Sequence, residues 1–169
     1  MGQPYLRPST PQRILAVDPS LRSPGFAVIE SHGQKVRALD YSVVMSPQTY
    51  SQAECFSRIW DKLEELHQTF QPEILAMESI IYVQSIKTAI TMGGARGVVL
   101  LFAAQHHMQM TEVEPRLVKQ SVVGRGGAGK EQVAFMVRAL LGLSETPASD
   151  AADALAVGLT VATRLREPA

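Results

Sequence analysis

The first third of the chain is built from short apolar runs broken by turn residues. Residues 13–18, RILAVD, form an apolar run that ends in an acid, residues 24–30, PGFAVIE, form a second, and residues 34–46 a third. With Pro, Ser and Gly between them, these runs predict three consecutive strands that open an antiparallel sheet. The period then changes. Over residues 49–70, Ala53, Phe56, Ile59/Trp60, Leu63, Leu66/His67 and Phe70 recur every three or four positions, which is one face of an amphipathic helix, and Pro72 ends it. Residues 73–79, EILAMES, return to a short buried strand that again reaches an acid, Glu78.

Residues 85–107 are rich in Ala, Leu, Val and Met and predict a long helix, although Gly93, Gly94 and Gly97 lie inside it. Each such glycine costs about 1 kcal/mol relative to Ala, so close packing of another backbone, that of a partner subunit, is expected there. Residues 109–114 read as a strand. PRLVKQSVVG starts a short helix with Pro115 in its first turn, residues 130–142 form a helix closed by Gly142, and residues 148–166 form a last helix rich in Ala, Leu and Val. The order βββ-α-β-α-β-α-α-α predicts an α/β chain, a mixed five-stranded sheet with helices on both faces. Residues 13–166 make one domain, preceded by a flexible leader over residues 1–12 that carries Pro4, Pro8 and Pro11 and has no apolar core of the secretory kind.

Composition adds exclusions. With 46% hydrophobic and 19% charged residues, the chain is an ordinary globular one. It has a single cysteine, Cys55, so no intramolecular disulfide can form, and no Cys/His cluster has zinc spacing. This fits a reducing, cytoplasmic compartment. No uninterrupted run of 18 apolar residues predicts a membrane span. The formal net charge is zero, yet the charge is polarised. Between residues 116 and 138, Arg116, Lys119, Arg125, Lys130 and Arg138 face one acid, Glu131, whereas residues 54–78 hold Glu54, Asp61, Glu64, Glu65, Glu73 and Glu78 against Arg58 and Lys62. Charge alone reads as two solvated faces.

The chemistry rests on four acids. Asp18 ends a strand that is apolar from Ile14 onward, and Glu78 repeats the pattern. One strand-end acid is readily a turn cap; two are harder to explain so. Asp150 and Asp153, in ASDAADALAV, are three apart and share a helix face, in company that is otherwise small or apolar. A helix dipole accounts for acids in the first turns, but not for their apolar surroundings. Four partly buried carboxylates from three elements, without Cys or nearby His, favour a hard, oxygen-seeking cation, Mg²⁺ or Mn²⁺. Two such ions about 3.5–4 Å apart suit phosphodiester hydrolysis. GRGGAGK, residues 124–130, matches GxxxxGK of a phosphate-binding loop, but Glu131 stands where a Ser or Thr would hold Mg²⁺. A basic loop that touches DNA phosphates is the better reading, and no nucleotide cofactor is expected.

These motifs resemble the RuvC family of Holliday-junction resolvases. ILAVDPSLRSPGFAVIE is similar to the family's first acid motif, MES to its second, MGGARG to its helix motif, RLVKQSVVGRGGAGKEQV to its basic segment, and DAADALAVGLT to its C-terminal acid motif. Together they cover most of residues 13–163 in family order. The resemblance implies an RNase H-like fold, a homodimer, paired cuts in a four-way DNA junction within homologous recombination and repair, and work with the RuvA–RuvB branch-migration complex in the bacterial cytosol or nucleoid. It implies Asp18, Glu78, Asp150 and Asp153 as metal ligands, and Lys119 and Lys130 as phosphate contacts that stabilise charge. Arg22, Arg96, Arg116 and Arg125 are further DNA-binding candidates. The chain departs from the family at Ser20, Leu21 and Ser23-Pro24, while Arg22 and Gly25 match. Where the family carries a wedge aromatic it has Ile81, with Tyr82 next, so Tyr82 is the candidate to stack on a base. Two alternatives stay open from the residues alone: an RNase H-like nuclease acting on structured RNA, and a non-catalytic junction-binding module.

Overall fold

The structure is a computed structural model, and it describes residues 10–80 and 85–165. The strands are β1 (Gln12–Asp18), β2 (Gly25–His32), β3 (Lys35–Val43), β4 (Ile74–Glu78) and β5 (Gln109–Val113). The helices are α1 (Gln52–Phe70), α2 (Ile86–Gln105), α3 (Pro115–Val123), α4 (Lys130–Leu141) and α5 (Ser149–Arg164). The expected order is met. The first strand begins at Gln12, within the expected leader, the third strand stops at Val43 rather than 46, and α1 starts at Gln52 rather than 49. Local chemistry sets that start: the Ser51 hydroxyl accepts from the Glu54 amide at 3.3 Å, and Glu54 accepts from the Ser51 amide.

The five strands lie in the order β3-β2-β1-β4-β5. β1 pairs antiparallel with β2 and β2 with β3, whereas β4 joins β1, and β5 joins β4, in parallel. Side chains alternate across the pleat, and the two faces bury different sets. Leu15, Val17, Leu75 and Met77 pack against Ile59 and Leu63 of α1 and Val99 and Phe102 of α2. Ile14, Ala16, Ile74 and Ala76 pack against Val118 of α3, Val133 of α4 and Leu155 of α5. Helices therefore cover both faces, and α5 is the most deeply set, with residues 154–162 all buried. Gly158 permits this depth, because a Cβ there would stand 2.7 Å from Ile29 and 3.2 Å from Ala16.

The α2 glycines have different reasons from the single one expected. Gly94 packs within the chain, since a Cβ there would meet the Phe56 ring at 2.4 Å, while Gly93 and Gly97 face open space. Among the described residues α2 is also long and apolar enough to cross a membrane, with 20 residues and a mean hydropathy of 1.3. It passes by composition without an unbroken apolar run, because Lys87 and Arg96 interrupt it, and it buries Ala95, Val99, Phe102 and Ala103 in the core.

Candidate active site

Strand parity delivers the first two acids. In β1, Ile14 and Ala16 face α5, so Asp18 points the same way; in β4, Ile74 and Ala76 do, and so does Glu78. The parallel register sets Val17 beside Met77. One residue further along, at the carboxyl ends of adjacent strands, Asp18 and Glu78 leave the sheet on the α5 face. The first turns of α5 supply the other two acids. Asp18, Asp150 and Asp153 each offer an oxygen, and these oxygens lie within 4.8 Å of one another. Glu78 joins Asp18 and Asp153 in lining a cleft of about 250 Å³, together with Lys119, Lys130 and Pro115. A second hollow of about 370 Å³ continues past Asp18 and Glu78 to Pro19, Ile80, Met92 and Arg96.

Close approach of α5 to the sheet makes the cluster. Asp18 pairs with Gly25 across the β1–β2 ladder. A Cβ on Gly25 would lie 1.9 Å from the Asp150 carbonyl oxygen, so only glycine lets the first turn of α5 rest on β2.

The electrostatics are those of an anionic cluster short of positive charge. Burial, then the charges of Asp153, Asp150 and Glu78, push the Asp18 carboxyl up to about 7, against a smaller opposing pull from Lys130. Burial and Asp153 likewise raise Glu78, while Lys119 and Lys130 oppose the shift. Lys130 donates to Asp153 at 3.1 Å. That hydrogen bond, the Asp153 charge and the charges of Asp18 and Asp150 hold the ammonium above its ordinary range, against burial. Two ammonium groups do not neutralise four acids. A donor set of carboxylate oxygens alone, crowded enough to keep a proton on Asp18 near neutrality, fits a hard divalent cation.

The other expected residues fall into three groups. Lys119 lines the cleft from α3, and Arg116 and Arg125 are exposed. GRGGAGK joins α3 to α4 instead of following a strand, with Gly124 at φ 82° closing α3 and Lys130 opening α4. A strand-to-helix phosphate loop is therefore not built here. Arg22 and Arg96, expected as DNA contacts, each make contacts within the protein. Arg22 donates to the Pro47 carbonyl at 2.5 Å and to the Cys55 sulfur at 3.3 Å, fastening the β1–β2 loop to α1. Arg96 donates to the Glu78 carbonyl at 2.9 Å and forms an ion pair with Glu112. Ile81 and Tyr82, the wedge candidates, lie outside the described residues. Glu112 had no signal in the sequence, since an acid on a short mixed strand looks like any exposed strand residue. Gly25 did carry one, as the glycine opposite a strand-end acid.

Comparison with known proteins identifies the family. The family described as crossover junction endodeoxyribonuclease RuvC matches residues 14–161. A protein of that name from Akkermansia muciniphila is 53% identical over 148 residues, covering 88% of this chain and 89% of its own length. One from Heliobacterium modesticaldum is 43% identical over 150 residues, covering 88% and 93%. The solved structure of T. thermophilus RuvC in complex with Holliday junction substrate superposes with a TM-score of 0.85 at 35% identity, covering 92% of this chain and 95% of that one. A match that spans the sheet, all five helices and the acid cluster places the chain in the crossover junction endodeoxyribonuclease RuvC family.

Proposed function

We propose that this protein cuts four-way DNA junctions by paired, metal-dependent hydrolysis of phosphodiester bonds, and that Asp18, Glu78, Asp150 and Asp153 hold the metal. The observation that carries the reading is the convergence of these acids from two strand ends and one helix start, with three of their oxygens within 4.8 Å. Two Mg²⁺ or Mn²⁺ ions would supply an activated water and stabilisation of the leaving 3′ oxygen. The chain's own groups do the rest. The carboxylates orient and hold. Lys130 clamps Asp153 while its amine, with a side chain 73% exposed, stays within reach of a phosphate. Lys119 supplies a second cation at the cleft wall, and Arg116 and Arg125 extend positive charge along the α3–α4 edge.

The reading includes a homodimer formed through α2. Ile86 is 81% exposed, Ile90 66% and Leu101 53%, and they flank Gly93 and Gly97 on the helix side that faces open space. A second copy of the same stripe is the self-complementary occupant that a two-fold interface needs, and it would bring two acid clusters to one junction for opposite-strand cuts. Membership of the family supports the RuvA–RuvB complex as a partner and the bacterial cytosol or nucleoid as the location.

The test is a synthetic mobile junction incubated with and without Mn²⁺ and scored for symmetric nicks. Symmetric, metal-dependent nicking is expected. Asp18→Asn and Asp153→Asn should each abolish cutting while leaving junction binding in gel-shift assays. Full cleavage by either variant would remove the assignment of these acids.

A further inference from the structure

Arg96 reaches from α2 to two strands of the sheet. Its Nη1 donates to the backbone carbonyl of Glu78 at 2.9 Å, and its Nη2 is paired with Glu112. The side chain is only 12% exposed. A guanidinium buried to that degree is tolerated only when paired and hydrogen-bonded, and here both conditions are met by groups from other elements. α2 supplies the arginine, β4 the carbonyl and β5 the carboxylate. The Ser79 amide in turn donates to the Val113 carbonyl at 2.9 Å. The peptide that follows Glu78 is therefore held at both ends, its carbonyl by Arg96 and its amide by β5, at the point where β4 leaves the sheet and its side chain enters the cleft. Loss of a group that fixes the orientation of a metal-binding side chain typically costs about 10–100-fold in metal affinity or activity.

Resting on the assignment of Glu78 to the metal site, we propose that Arg96 is a positioning residue for Glu78, itself locked by Glu112, and that it acts on metal affinity and turnover instead of on DNA binding. A planar fork can satisfy a carbonyl and a carboxylate together, which the single ammonium of a lysine at this position does less well.

The experiment compares wild type, Arg96→Gln, Arg96→Lys, Glu112→Gln and Glu78→Gln. Mn²⁺ binding to the DNA-free protein is measured by calorimetry. Single-turnover cleavage of a four-way junction is measured at rising protein concentration. Arg96→Gln and Glu112→Gln should each weaken Mn²⁺ binding and lower the saturating rate by about tenfold or more, with the half-saturating protein concentration unchanged. Arg96→Lys should recover part of both losses. Wild-type Mn²⁺ affinity in both Gln variants would overturn the proposal. So would an effect confined to half-saturation, which would make Arg96 a DNA contact. Should Arg96→Gln fail to fold, Glu112→Gln, at a side chain 48% exposed, decides alone. Wild-type Mn²⁺ affinity in Glu78→Gln would instead strike the underlying metal-site reading, and the proposal with it.

Discussion

At Asp18 the chain keeps a carboxyl where burial and three neighbouring acids push its pKa up to about 7, from an ordinary value of 3.8. The folded pKa lies above the unfolded one. The contribution of this group to stability is therefore fully present below about pH 4 and is lost as the pH rises towards 7. Asp18→Asn removes that loss. In chelator at pH 8, urea unfolding should find the variant more stable than wild type, by at most a few kcal/mol, since one pKa unit corresponds to about 1.4 kcal/mol. The advantage should shrink as the pH approaches 4. A variant less stable at pH 8 would contradict burial and charge crowding as the origin of the shift. Glu30 shows the opposite resolution of a buried acid. Burial pushes it up, but hydrogen bonds from Arg13 and Arg37, together with their charges, outweigh burial and settle it below the usual range. Both acids sit on the first two strands; Glu30 is paired with two arginines, whereas Asp18 has the smaller pull of Lys130 against burial and three acids.

At the scale of elements, the site depends on how closely α5 lies on the sheet. Two glycines control this and should respond differently. Gly25→Ala drives a Cβ into the Asp150 backbone at 1.9 Å, which cannot move without displacing the acid-bearing turn. Gly158→Ala meets the Ile29 side chain at 2.7 Å and the Ala16 Cβ at 3.2 Å, neither of which belongs to the acid-bearing turn. Gly158→Ala should cost about 1–3 kcal/mol in thermal unfolding, the usual range for overpacking, with cleavage retained. Gly25→Ala should lose cleavage even where the protein still folds. A Gly25→Ala protein with wild-type activity would show that the α5 contact does not set the site. α2 offers a separate test. Ile90 is 66% exposed, so Ile90→Glu should leave monomer stability within about 0.5 kcal/mol, yet turn a dimer into a monomer in light scattering. A dimer that survives the change would place the interface elsewhere.

For the molecule as a whole, the acid cluster couples folding to metal. Sheet and α5 must both be in place before the carboxylates meet, so a cation that binds the assembled cluster stabilises only the folded state. At a hundredfold excess over its dissociation constant it should add about 2.7 kcal/mol, visible as a higher melting temperature in Mn²⁺ than in chelator. Because Asp18 must shed its proton to bind, the gain should grow as the pH rises through about 7. A gain that is flat between pH 6 and pH 8 would argue against Asp18 as a ligand.

The strands, the helices and the four acids are legible in the chain alone. Periodicity of two and of 3.6 is a local property, and an acid that ends an apolar run stands out against its neighbours. Parity within β1 and β4 even placed Asp18 and Glu78 on one face once the strands were known to be parallel neighbours. What those residues meet is set by contacts that form when the chain folds. That Gly94 packs on Phe56 within the chain while Gly93 and Gly97 face outward depends on where α1 crosses α2. That Arg22 and Arg96 each donate to internal acceptors depends on contacts between residues 25 and 33 positions apart for Arg22, and 18 for Arg96 and the Glu78 carbonyl. Long-range pairing leaves no periodic trace in the chain. For that reason the acids of the site were legible from sequence, while the arginine that steadies one of them looked like a surface cation until the fold buried it.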